Sequence, residues 1–177
     1  MRRVIVGIGC LTALAACVVN VGADRGEGSA VAKLVAASGS PVSGRIVFSD
    51  EAGRLMLGVE VVGLGLNADH GMHIHEHGQC DQPAFESAGD HFNPEGGAHA
   101  YPKSGPSHSG DLPNLRANAH GEARYGVAVD TIATLQSGAH SIIGRSIVIH
   151  RNKDDYRAQP SGDSGPRIAC GVIELAK

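Results

Sequence analysis

The sequence predicts an all-β domain, an antiparallel sandwich or barrel interrupted by two long loops. Three observations carry that reading. Short runs rich in β-branched residues recur between turn signals along most of the chain. The 177 residues include 25 Gly and 8 Pro, a turn-rich composition. No segment carries an apolar stripe at helical spacing over three turns, which argues against helical bundles and α/β layers. The length suits one domain, and 42% hydrophobic residues supply an ordinary core. With 3 Phe, 3 Tyr, no Trp and a net charge of −3, the chain is a poor candidate for a nucleic-acid partner.

Residues 1–23 read as a targeting segment. Arg2 and Arg3 give it a positive start, and the uncharged run from Val4 to Ala16 suits a signal core better than a membrane span. Leu14-Ala15-Ala16-Cys17 resembles a bacterial lipoprotein signal, so removal of residues 1–16 and a lipid on Cys17 are expected. The rival is cleavage after Val21-Gly22-Ala23 with no lipid; a retained anchor fits less well, because Gly7, Gly9, Thr12, Asn20 and Gly22 interrupt the run. Removing residues 1–16 takes two Arg and no acid, leaving 13 bases against 18 acids and a charge of −5. Residues 17–29 read as a lipidated N-terminus and flexible tether, and residues 30–177 as the domain. The expected location is the periplasm or cell envelope, with membrane contact through the lipid alone. Cys10 leaves with the signal, so Cys80 and Cys170 remain as one pair in an oxidising compartment, where a disulfide is the default. Two unrelated buried thiols are the alternative, disfavoured by Gly-rich, polar surroundings.

In chain order, the predicted strands are 31–36, 44–49, 55–62, 71–76, 123–129, 146–150 and 168–173. Turns are supplied by Ser40-Pro41, Asp50-Glu51-Ala52-Gly53, Asn118-Ala119-His120-Gly121 and Ser137-Gly138. The intervals 77–115 and 151–166 are long, polar and rich in Gly and Pro. Loops of that length inside a compact domain are functional or stapled.

Seven of the 10 His lie between positions 70 and 108. Alternation along a strand aims His73 and His75 to one face and sends Ile74 into the core. Paired imidazoles suit copper, zinc, iron or nickel, although one His-x-His is a weak signal. His91, His99, His108 and Asp111 follow in the first loop at intervals of eight, nine and three. Three nitrogens and a carboxylate oxygen form a closed tetrahedral set that suits structural zinc, and a metal can fix a loop that has no core of its own. His70, His77, His120 and His140 read as surface or turn residues, and Glu76 is expected to face away from the metal.

Five segments carry a family resemblance: Gly71–Glu76, Ser87–Pro94, His108–Asn114, Ile143–His150 and Arg167–Ile173. In this order they are similar to the signatures of copper/zinc superoxide dismutase, over about residues 30–175. The resemblance implies a Greek-key β-sandwich or barrel of about eight strands. It implies one copper per chain on His73, His75, His91 and His150, and one zinc per chain on His91, His99, His108 and Asp111. His91 would bridge the metals, Asp154 would link ligands of both, Arg167 would stand beside the open copper position, and Cys80–Cys170 would match the family disulfide. The implied activity is dismutation of superoxide to O2 and hydrogen peroxide by a redox-cycling copper, protecting the envelope from oxidative damage. Lys103, Lys153 and Arg157 lie in the loops where cations could help steer the anion. Pattern reading leaves monomer and homodimer both open.

Overall fold

A computed structural model describes residues 28–102 and 107–177. The signal, Cys17, the tether up to residue 27, and Lys103 lie outside the described residues. Nine strands occur among them: β1 (Ala30–Ala36), β2 (Ser43–Glu51), β3 (Arg54–Val62), β4 (Asp69–His70), β5 (Met72–His75), β6 (Leu115–Arg116), β7 (Ala123–Val129), β8 (Ser146–His150) and β9 (Arg167–Leu175). Helical structure is confined to a 3-10 turn at Glu86–Ala88. No helix among the described residues is long and apolar enough to cross a membrane.

All seven predicted strands form, two with identical bounds and the others with ends shifted by at most two residues. β4 and β6 were not anticipated; each has two residues, and they pair only with each other. The other seven make one antiparallel sheet in the order β5-β8-β9-β1-β2-β3-β7, curled into a half-barrel. β9 returns from the far end of the chain to lie beside β1, giving the spatial order of a Greek key. The β2–β3 hairpin turns at Ala52 and Gly53, both at positive φ (54° and 78°), as a tight two-residue loop demands. The Asp50 carboxylate accepts a hydrogen bond from the Gly53 amide at 2.8 Å.

β3 shows why the sheet forms. Leu55, Leu57, Val59 and Val61 are buried, while Arg54 and Glu60 point to solvent. Ile46 and Phe48 of β2 join the same core, as do Ile74 of β5 and Ile147 and Ile149 of β8. On the opposite side of β8, Val148 packs with Phe85, Ala88 and Cys170 in a second small cluster beneath the first loop. The Cys80–Cys170 disulfide ties that loop to β9.

Candidate metal centre

The site is built on a ring of main-chain hydrogen bonds. The Ile74 amide donates to the Gly110 carbonyl, the Gly110 amide to Phe92, and the Phe92 amide back to Ile74, each at 2.8 Å. Ile74 lies between His73 and His75, Phe92 follows His91, and Gly110 precedes Asp111. Three donor-bearing segments distant in sequence are thus held in register through their backbones. Gly110 is required there, because a Cβ would strike the Ile74 carbonyl oxygen. Arg145 braces the same unit. Its guanidinium lies 3.6 Å over the Phe92 ring and donates to the carbonyls of Glu76 (2.9 Å) and Ser141 (2.7 Å).

His73, His75, His91 and His150 form one buried group and His91, His99, His108 and Asp111 another, with donor atoms in each group within 4.8 Å of one another. In the first group, one nitrogen of every ring is anchored. His73 Nε2 donates to Asp154 (2.7 Å), His75 Nδ1 to the Gly89 carbonyl (2.8 Å), and His150 Nδ1 to the Gly165 carbonyl (3.0 Å). His91 Nδ1 lies 3.0 Å from Asp111. The other nitrogens, His73 Nδ1 and the Nε2 atoms of His75, His91 and His150, are buried without a hydrogen-bond partner. Four orphaned imidazole nitrogens facing one another would be costly in a finished protein, and a metal ion satisfies them all. Burial pushes His73 down to about 3, against its Asp154 hydrogen bond, and His150 to about 4, while His75 also lies well below its ordinary value. These rings are therefore neutral at neutral pH, the form that ligates metal.

In the second group a single oxygen, Asp111 Oδ1, lies 3.0 Å from His91 Nδ1, 2.9 Å from His99 Nδ1 and 3.3 Å from His108 Nδ1. Burial would raise the Asp111 carboxyl, but hydrogen bonds from the three imidazoles overcome it and hold the group far below the usual range. Burial likewise opposes a charge on His99, yet Asp111 and Asp154 raise it to about 9. So acidic a pocket, lined by three imidazoles, suits a small cation with N and O ligands. Asp154 joins the two groups, one oxygen reaching His73 and the other His99 Nε2 at 2.9 Å.

Arg167, at the start of β9, pairs with His150 across the β8–β9 ladder. It donates to the Phe85 carbonyl at 2.6 Å and the Gly89 carbonyl at 2.7 Å. Phe85 stands in the left-handed conformation, which turns that carbonyl toward the guanidinium. Arg167 then lines a cavity of about 470 Å³ together with His75, His91, His108 and His150. Glu76 corrects an expectation: it lines this cavity and pairs with His77 rather than facing away. β5 ends at His75, so alternation no longer governs the next residue. Lys153 and Arg157 are exposed and do not line the cavity.

His70 carries a role the sequence did not announce. It is buried; its Nε2 accepts from the Gly65 amide (3.2 Å) while Nδ1 donates to the His150 carbonyl (2.9 Å). It therefore fastens the backbone of a donor residue to the turn before β4. His77 and His120 are exposed, and His140 pairs with Glu95 at 3.2 Å.

The sequence pattern of the family described as copper/zinc superoxide dismutase (SODC) matches residues 42–173. Superoxide dismutase [Cu-Zn] 2 of Aquifex aeolicus (strain VF5) is 39% identical over 123 residues, covering 67% of this chain and 71% of that protein. Superoxide dismutase [Cu-Zn] of Schizosaccharomyces pombe is 39% identical over 145 residues, covering 77% and 92%. Among solved structures, a double mutant of a SOD-like protein from Bacillus subtilis superposes with a TM-score of 0.72 at 37% identity, covering 81% of this chain and 96% of that one. A match over most of the domain, on a sheet that gathers two buried donor groups around a shared histidine, places this chain in the copper/zinc superoxide dismutases, oxidoreductases that use copper and zinc to dismutate superoxide.

Proposed function

We propose that one copper is held by His73, His75, His91 and His150 and one zinc by His91, His99, His108 and Asp111, with His91 serving both through its two ring nitrogens. The observation that carries this reading is the set of four buried, unpartnered nitrogens, each opposite an anchored one. Bound there, copper supplies alternating one-electron oxidation and reduction of superoxide, while zinc, which has one oxidation state, supplies a fixed positive charge.

The chain's own groups supply the rest. Arg167 receives the anion; the Phe85 and Gly89 carbonyls fix its plane, and its other N–H donors serve the substrate. Arg167 puts a positive charge at the cavity wall, and local charge rather than the negative total governs capture. Hydrogen peroxide formation consumes protons, and His91 Nε2 is the atom at which one can be held while Nδ1 stays beside Asp111. Asp154 fixes the orientation of His73 and His99 together. The test is purified mature protein loaded with both metals. Turnover of superoxide that stops on copper chelation, with about one copper and one zinc per chain, is expected. Metal uptake without turnover would identify a metal buffer instead, and full activity with copper but no zinc would remove the bridge.

The reading extends to location. Residues 1–16 act as a lipoprotein-type signal, Cys17 carries a lipid, residues 17–29 form the tether, and the domain works in the cell envelope against superoxide there. The Leu14–Cys17 box supports this, and a Cys80–Cys170 disulfide fits an oxidising compartment. Growth with labelled palmitate should label the wild type and not Cys17→Ser; an unlabelled mature protein beginning near Asp24 would exclude the lipid.

A further inference from the structure

The geometry points to Gln159 as a positioning residue that couples zinc at the His91, His99, His108 and Asp111 group to the shape of the second loop, and through it to the wall of the copper-side cavity. The inference rests on the zinc assignment proposed above.

The Gln159 side chain grips the main chain of His99 from both sides. Its Oε1 accepts from the His99 amide at 2.8 Å, and its Nε2 donates to the His99 carbonyl at 2.8 Å. His99 Nε2 meets Asp154 of the same loop at 2.9 Å, and His99 Nδ1 faces Asp111. Every polar atom of His99 thus has a partner, and three of the four partners come from the second loop. Gly162 completes the docking: a Cβ there would collide with Asp154 Oδ1 and crowd His99 Nε2 at 2.6 Å.

The segment has a second seat at Asn114, which donates to the Asp154 carbonyl (2.9 Å) and the Tyr156 hydroxyl (2.6 Å) and accepts from the Asp154 amide (2.8 Å), and it closes on itself between these contacts. The Gly162 amide donates to Ala158 (2.7 Å), the Asp155 amide to Gly162 (3.0 Å), and the Asp155 carboxylate accepts from the amides of Arg157 and Ala158. The end that carries Gln159 is seated on the zinc loop at His99. Its next residues, Pro160 and Ser161, line the cavity together with His75, His91 and His150. Ordering His99 by zinc favours the docked loop, and by reciprocity the docked loop favours zinc. Gln159 is solvent-exposed, so its replacement leaves the core untouched.

The test compares the full mature chain with Gln159→Ala and Gln159→Glu, metal-free and zinc-loaded. Zinc affinity is read by chelator competition and amide hydrogen exchange by segment. In wild type, zinc should slow exchange across residues 155–163. Gln159→Ala should bind zinc about tenfold more weakly and lose that protection, while residues 108–111 stay protected. Gln159→Glu keeps the acceptor and loses the donor, so an intermediate effect is expected. Equal zinc affinity and equal protection of 155–163 in wild type and Gln159→Ala overturn the inference alone. A wild type that takes up no zinc overturns it together with the metal assignment.

Discussion

β3 and β8 belong to the same antiparallel sheet and present opposite patterns. β3 alternates buried and exposed side chains, whereas all five residues of β8 are buried. One side of a sheet faced by water is the common antiparallel arrangement. β8 departs from it because the first loop, stapled by Cys80–Cys170, lies over its second face and places Phe85 and Ala88 against Val148. β5 shares the condition, with Ile74 in the main core and His73 and His75 on the other face. An uninterrupted buried run in an antiparallel sheet thus marks the side where the chain has built something over the strands.

The largest expected effect comes from removing the residue shared by both donor groups. His91→Ala should lower the dismutation rate by at least about 100-fold, measured beside metal content. Phe85→Ala tests whether the loop-side cluster is a true second core. It should cost about 3–5 kcal/mol in denaturant unfolding, as in a main core, and its loss should also loosen Arg167. A cost under about 1 kcal/mol would make the loop a mere cover. Val148→Ala, on the second face of β8, should cost about 1–3 kcal/mol. Met56→Ala, on the partly exposed face of β3, should cost less than Val148→Ala; equal losses would erase the distinction between the strands. Arg167→Ala leaves the fold and metal content alone and should reduce the rate by about tenfold with a weaker salt dependence. An unchanged rate removes Arg167 from the substrate site. Least of all, Arg45→Ala on the outer face should leave the unfolding midpoint unmoved, since its pair with Glu60 is solvent-exposed.

The sheet was legible because β-branched runs and turn residues mark strands locally. β4 and β6 were not, since Asp69-His70 and Leu115-Arg116 carry no pattern and exist only because each meets the other. The His73/His75 pair and the loop set from His91 to Asp111 can be read from spacing. His150, Asp154 and Arg167 enter only by resemblance, because their proximity depends on a ladder between distant strands. His70, Gln159 and Phe85 were missed for one reason. Each acts through a backbone amide or carbonyl, its own or a distant residue's, and main-chain groups leave no trace in residue type. Glu76 was misplaced by extending the strand period one residue past its end.

The closed ring of amides joining Ile74, Phe92 and Gly110 has a consequence for how such a centre can diversify. Because peptide groups rather than side chains hold the three segments together, ligands can be exchanged one at a time without re-threading the polypeptide. Metal preference and redox character are free to drift on a frame that stays put. Position 110 is closed to that drift, because any larger residue would wedge the frame apart.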